Sequence, residues 1–380
     1  MRPSTSAVPS AEAALAQIKP GVRALAAYAL SAPAAPPSRK LNQNESPFDV
    51  PLVVKEAVLE RIRRAPWNRY PPSTPADLLE RLAERHAWTS DGVLVGNGSN
   101  ELIQATLAVT VGEGTPVVTP LPTFSLYRLL TSVYGGRHVA VPLTADFGFD
   151  VDALIRAVGE TRAAMIVVNS PNNPTGTPLP EGAAERLLVE TEALVLVDEA
   201  YQDFGGPSAV PLLHDHARLV VLRTFSKAMS LAGLRFGYAL AHPAVAREIA
   251  KAKLPYNVNQ VTLAAAHAVL DSHEVLEGYA RLVCEARDRL FERLSAIDGL
   301  QAFPSAANFV LIRCEAKPAA EVFHRLVEEH GILVRNVSGA PGLAGCLRIT
   351  AGSDEDVDAV GRALAAILGG GGRRQDGGGR

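Results

Sequence analysis

The chain has 380 residues, 47% of them hydrophobic, enough to bury a large core and to build two domains. Its 37 Lys and Arg against 40 Asp and Glu give a formal net charge of -3, which gives no grounds for binding nucleic acid or an anionic membrane and makes any anion site a local cluster. Cys284, Cys314 and Cys346 are spaced for neither a metal site nor a disulfide framework, and no run approaches the roughly 18 apolar residues of a membrane span, so a soluble protein of the reducing cytoplasm is expected.

Residues 1–44 read as an arm and linker, an Ala-rich amphipathic piece followed by SAPAAPPSRK, whose prolines cannot continue a helix. Apolar runs then alternate with helical patterns: VLVGNG with ELIQATLAVTV, PVVTP with FSLYRLLTSVY, MIVVNSP with a longer helix, then LVLVDEA and LVVLRTFS. Runs without polar alternation are strands covered on both faces. They predict an α/β core with a mostly parallel sheet over about residues 75–255, inside a large domain of residues 45–272. A helical pattern from about Thr262 to Ile297 is long enough to bridge to a second unit. FPSAANFVLIRCE, GILVRNV and GCLRITAG then read as strands, with EVFHRLVEEH and DVDAVGRALAAILG as helices, giving a smaller α+β domain of residues 273–368. The tail, 369–380, is glycine and charge with little to bury, and is expected to be disordered.

Polar residues recur at the strand ends, where open α/β sheets bind ligands. LVVLRTFSKAMSLAGLRFGY runs from a strand into a turn carrying Thr224, Ser226 and Lys227, with Arg235 further on. A lysine that is neutral can condense with a carbonyl, and a desolvated pocket or a neighbouring cation lowers its pKa. Alone, such a lysine is usually a solvated surface group. Two hydroxyls and a guanidinium beside it suit a phosphate dianion. In VGNGSNELIQ, Ser99 and Asn100 sit at a helix N-terminus, an anion site that ordinary helix caps also resemble. Asp198 ends an apolar strand in LVLVDEAY, with Tyr201 following. That carboxylate is either an acidic cap or the partner of a protonated ring nitrogen, and Tyr201 could then reach a ring oxygen. In SPNNPTG, a turn former, Asn173 can direct an amide into the crevice, and Phe124 in PTFSLY is either core or a face for stacking.

Taken in order, GNGSNE, PTFSLY, SPNNPTG, VDEAY and RTFSKAMSLAGLR resemble the fold type I pyridoxal-phosphate enzymes, particularly the class II aminotransferases, over most of the chain. The resemblance implies a seven-stranded, mostly parallel sheet in the large domain and pyridoxal 5'-phosphate bound to Lys227 as a Schiff base. It also implies that Asp198 pairs with the pyridine nitrogen, that Asn173 and Tyr201 contact the phenolic oxygen and that Phe124 stacks on the ring. Ser99, Asn100, Ser226 and Arg235 would hold the phosphate, with Thr224 a further contact. Phe124 replaces the tyrosine often found there, so stacking carries over and a ring hydroxyl does not. LNQNESPF, NRYPP, GILVRNV and GCLRITAG are similar to the histidinol-phosphate aminotransferase branch. That likeness implies ping-pong transfer between histidinol phosphate and 2-oxoglutarate. Arg348 and Arg335 would bind the substrate's carboxylate or phosphate, Tyr28 and Asn44 would lie beside it, and Tyr70 would reach the cofactor phosphate across a homodimer interface. An aromatic-amino-acid aminotransferase, a threonine-phosphate decarboxylase and a non-catalytic protein of the same fold are the alternatives.

Overall fold

The computed structural model describes residues 11–25 and 36–369. Two short helices, α1 (Glu12–Leu15) and α2 (Pro20–Arg23), precede the two-residue strand β1 (Arg39–Lys40). Helices α3 (Leu52–Arg64) and α4 (Ala76–Arg85) lead into β2 (Val93–Asn97) and α5 (Ser99–Thr110). The alternation continues through β3 (Pro116–Leu121), α6 (Leu126–Val133), β4 (Arg137–Pro142), α7 (Val151–Thr161), β5 (Met165–Asn169), α8 (Ala183–Glu190) and β6 (Leu194–Asp198). It ends with β7 (Leu219–Thr224) and β8 (Phe236–Ala241).

These strands form one seven-stranded sheet in the order β2-β8-β7-β6-β5-β3-β4. Only β8 runs against its neighbours; the other pairings are parallel. Side chains alternate across the sheet although the sequence of each strand does not. Val167, Leu196 and Val220 join Leu102 of α5 and Tyr127 of α6 in one core, while Val168, Val197 and Val221 join Leu154 of α7 and Leu187 of α8 in another. Apolar side chains at consecutive positions are therefore needed on both faces. The parallel strands bring the ends of β5, β6 and β7 together at one edge, and Asn169, Asp198 and Thr224 are their last residues.

Beyond the sheet follow α9 (Pro243–Ala250), α10 (Gln260–Asp271) and α11 (His273–Ser295). The helix expected over 262–297 is in fact two, because Ser272 leaves helical geometry at φ -123° and ψ 24° while its N–H turns back to the Val269 carbonyl. The second helix straddles two cores: Leu276, Ala280 and Val283 belong to the large one, and Ala286, Leu290 and Leu294 to a smaller one. The longer helix expected after MIVVNSP is also corrected, since α8 has only eight residues and starts beyond a turn carrying Pro171, Pro174, Pro178 and Pro180.

The remaining elements are β9 (Leu300–Phe303), β10 (Phe309–Cys314), α12 (Ala319–His330), β11 (Ile332–Leu333), β12 (Arg335–Asn336), β13 (Cys346–Thr350) and α13 (Asp354–Gly369). Strands β12-β13-β10-β9 form an antiparallel sheet, and Leu326 of α12 and Leu364 of α13 pack with Val310 and Leu347 over it. The segment expected to be a linker is tied in at its end, β1 pairing in parallel with β11.

Candidate active site

A cavity of about 710 Å³ opens beyond the ends of β5, β6 and β7 and is closed by residues 42–44 and by the β12–β13 region. Its size suits a small organic ligand. Every described residue that the sequence singled out lines it, except Tyr70. Tyr28 lies outside the described residues.

Lys227 projects from the turn after β7, and its Nζ donates to the Gln43 carbonyl at 2.8 Å and sits 5.8 Å from the centre of the Tyr201 ring. Burial, and then the guanidinium groups of Arg348 and Arg235, push this amine down to about 7, although Glu45 opposes the shift. An amine in this state is available as nucleophile or base near neutral pH. The turn that carries it is braced by Thr224, whose hydroxyl donates to the Phe236 carbonyl at 3.2 Å and accepts the Ser226 N–H at 3.1 Å.

Asp198 lies across the cavity, 3% exposed. Its carboxylate accepts from the Tyr127 hydroxyl at 2.6 Å and from the Ala200 N–H at 3.1 Å. Burial raises its pKa, and these two donors only partly offset that cost. Such a carboxylate is suited to a cationic partner arriving in the cavity. Tyr127 was not among the expected site residues. It is fully buried on α6, and burial followed by the adjacent Asp198 raises its hydroxyl well above the ordinary tyrosine value. The signal available was that a tyrosine on an apolar helical stripe needs a hydrogen-bond partner when buried. The Tyr201 hydroxyl accepts from Asn44 Nδ2 at 2.9 Å. Asn44 is held in turn by Thr350 and Asn308, so the chain's early segment is fixed to the small sheet.

At the other end of the cavity, Gly98 caps α5 at φ 82°. A Cβ there would run into the Arg235 guanidinium, so glycine allows the helix start and the cation to sit together. The first-turn amides of Ser99 and Asn100 have no helical partner. Ser226 accepts from Arg235 Nη1 at 3.3 Å, which leaves its own hydroxyl proton for an acceptor in the cavity. Arg235 takes up φ 58°, a left-handed conformation that costs about 1–3 kcal/mol for a residue with a side chain and is commonest at functional sites. An anion is the complement of this group.

Arg348 projects from β13, donates to the Asn173 side-chain oxygen at 2.5 Å and to the Asn42 carbonyl at 2.7 Å, and lies over the Phe309 ring. Asn173 is positioned by its own N–H, which donates to Asn169 at 2.8 Å, while Asn169 Nδ2 donates to the Asp198 carbonyl. Phe124 packs edge-on against Tyr127 at the cavity wall. Arg335 lines the same cavity from β12. Tyr70 does not: it is 79% exposed and stacks on Tyr256 with ring centres 4.5 Å apart.

The family described as aminotransferase class I and II matches residues 38–364. The chain belongs to that family. It is 39% identical over 354 residues to histidinol-phosphate aminotransferase of Chlorobium phaeovibrioides, covering 93% of this chain and 97% of the relative. The enzyme of the same name from Chlorobium luteolum is 40% identical over 352 residues, 91% and 98% of the two chains. Among solved structures, histidinol-phosphate aminotransferase from Sinorhizobium meliloti in complex with pyridoxal-5'-phosphate superposes with a TM-score of 0.82 at 28% identity, over 93% of this chain and 98% of that one. The architecture is accordingly that of the fold type I enzymes: a large, mostly parallel α/β sheet with a smaller α+β unit. The donor set of this family member fits a planar phosphorylated pyridine. An anion cradle stands at one end, a buried acid faces the cavity, an aromatic forms one wall, and a lysine biased towards neutrality lies between them.

Proposed function

We propose that the chain is a pyridoxal-phosphate-dependent aminotransferase that moves an amino group between histidinol phosphate and 2-oxoglutarate. The observation that carries this reading is the Lys227 amine, pushed down to about 7 in the same cavity as the buried Asp198 carboxylate and the Arg348–Asn173 pair. The names of the relatives supply the substrate.

In this reading Ser99, Asn100, Ser226 and Arg235 hold the cofactor phosphate, with Thr224 bracing the turn. Asp198, oriented by Tyr127, would face the ring nitrogen, Tyr201 and Asn173 would face the phenolic oxygen, and Phe124 would cover the ring. Bound there, pyridoxal phosphate supplies an electron sink for charge developing at the substrate α-carbon. Lys227 does the proton work. With the cofactor held in the cavity, the Lys227 Nζ would be the base that takes the proton from the substrate α-carbon and the acid that returns one in the second half-reaction. Arg348, braced by Asn173 and Asn42, takes the carboxylate of glutamate. Histidinol phosphate has no α-carboxylate, and its longer phosphate arm extends to Arg335, because a guanidinium fork accepts carboxylate and phosphate oxygens alike. Asn44 and Tyr28 flank the substrate. One substrate leaves before the next binds, so ping-pong kinetics follow.

The working unit is a homodimer of two-domain protomers, divided at 45–272 and 273–368, in the cytoplasm. Leu52 and Leu59 of α3, Trp67, Tyr70 and Leu254 are all strongly exposed. They lie on neighbouring segments, since α3 packs on α10, Tyr70 stacks on Tyr256, and Gln260 donates to the Pro66 and Arg69 carbonyls. Exposed apolar surface of this kind is characteristic of an interface, and a twofold dimer would carry Tyr70 to the partner's cavity. Among the described residues no helix is long and apolar enough to cross a membrane.

Amino transfer from histidinol phosphate, phenylalanine and tyrosine to 2-oxoglutarate, measured for the wild type and Arg335→Ala, tests the substrate. The expected result is a preference for histidinol phosphate that Arg335→Ala selectively weakens. Equal activity on phenylalanine, unchanged by the substitution, would point to an aromatic-amino-acid aminotransferase, and release of carbon dioxide from threonine phosphate to a decarboxylase.

A further inference from the structure

We propose that Arg128 forms, with Arg335, an anion subsite at the edge-strand side of the cavity that takes the phosphate monoester of the amino substrate and separates it from carboxylate substrates. This deepens the functional reading above and rests on it. Arg128 lies on α6, one helical turn beyond the Phe124 wall, and it lines the cavity together with Ser125, three residues before it on the same helical face. Arg335 lines the same cavity from β12.

Among the arginines that line the cavity, pairing sets these two apart, since Arg235 and Arg348 both hold hydrogen-bond partners there. Most arginines of the α3, α4 and α11 surfaces are matched to Asp or Glu, as Arg61 and Arg81 are to Asp271 and Arg85 to Glu277. The Arg128 and Arg335 guanidiniums have no hydrogen-bond or ion-pair partner among the described residues. Asp198 is the sole carboxylate among the residues lining the cavity, and it already accepts two hydrogen bonds at the other strand ends. Two uncompensated cations therefore share one cavity. The cavity's volume of about 710 Å³ is that of a small-ligand site, so one small anion can draw on cations from two of its walls.

His138 of β4 completes the wall, with Nε2 2.8 Å from the Thr119 hydroxyl. Burial and then the neighbouring Arg128 lower its pKa, so the positive charge of this wall resides on the guanidiniums. Each carboxylate of glutamate carries one charge, which a single guanidinium fork satisfies. A phosphate monoester dianion carries nearly two charges and three acceptor oxygens, more than one fork can meet. The Arg128 guanidinium, added to that of Arg335, supplies the difference and discriminates by charge as well as by reach.

The test uses the holoenzyme and its variants Arg128→Ala and Arg128→Lys. KM is measured separately for histidinol phosphate and for glutamate at two ionic strengths, with inhibition by inorganic phosphate as a readout independent of turnover. In Arg128→Ala, KM for histidinol phosphate should rise about tenfold or more, the loss of one charge-assisted contact. That rise should exceed the change for glutamate by about fivefold or more, and inhibition by inorganic phosphate should weaken in parallel. Arg128→Lys should recover part of the loss, and the salt dependence of KM should flatten in Arg128→Ala. If the wild type turns over histidinol phosphate and Arg128→Ala does so with unchanged KM, or with KM raised equally for both substrates, the subsite is overturned while the functional reading stands. A wild type that does not transaminate histidinol phosphate at all overturns both. Arg128 is exposed, so its replacement leaves the core untouched.

Discussion

A lysine enclosed by protein beside two arginines gives up its proton more easily than one in water, and Lys227 and Asp198 both lie on the unfavourable side of their own desolvation. The folded-state pKa of Lys227 is depressed to about 7, so the cofactor-free protein bears a cost that is fully present below pH 7. That cost is relieved as pH rises towards the unfolded lysine value of about 10.4. Replacing Lys227 by Met should therefore stabilise the cofactor-free protein by roughly 2–4 kcal/mol at pH 6 while abolishing transamination. The gain should fade by about pH 10, as read from denaturant midpoints against pH. For Asp198 the raised pKa has the opposite window: its cost appears as pH climbs above the unfolded value and is absent in acid. Tyr127→Phe removes the hydroxyl that favours the ionised form of this carboxylate and orients it. Cofactor affinity should fall about fivefold to thirtyfold, measured by absorbance titration, with the fold intact by circular dichroism.

The strand ends place these residues, and the sheet is locked there from its other face. Glu199 and Arg223, neighbours in sequence of Asp198 and Thr224, form a buried ion pair at 2.7 Å. Arg223 also reaches Asp203 and Ser208, and Glu199 accepts the Ala209 N–H at 2.5 Å. Removing one partner leaves an unpaired buried charge, so Arg223→Ala should cost about 3–5 kcal/mol in urea unfolding. Arg186→Ala, which breaks only exposed pairs, one within α8 to Glu190 and one to Asp152 of α7, should leave the midpoint where it is. The strands themselves were legible in the sequence, because β5, β6 and β7 are covered on both faces and appear as unbroken apolar runs bounded by turn formers. The break at Ser272 was not, since the apolar pattern runs through it and only the local backbone departs. Nor was Tyr127, whose place on an apolar helical stripe looks like core until its partner 71 residues away is known. Asn44 meets Thr350 across 306 residues and Asn173 meets Arg348 across 175, contacts without any local signature. Family likeness pointed to Asn44 and Arg348 and the SPNNPTG turn to Asn173, whereas nothing in the sequence pointed to Thr350.

At the scale of the whole molecule, the cavity draws on both sheets and on the segment of residues 42–44, so the site depends on the packing of α11 against two cores. Tyr70 lies outside that cavity, and in the proposed dimer the partner carries it in. Trp67 is 79% exposed, so a charge placed there should not disturb the protomer's core but should disrupt the interface. Trp67→Asp should shift the species seen by light scattering from dimer to monomer and weaken cofactor retention, while Tyr70→Phe should leave the dimer intact. Every other role in the site follows from Lys227 being the amine that carries the cofactor. Borohydride reduction of the holoenzyme fixes a carbonyl cofactor to the amine that holds it, and peptide mass spectrometry then locates the mark. The account requires the mark on the peptide containing Lys227 and its loss in Lys227→Ala. A mark on another lysine, or an unmodified Lys227 peptide from a fully loaded and reduced enzyme, would contradict it.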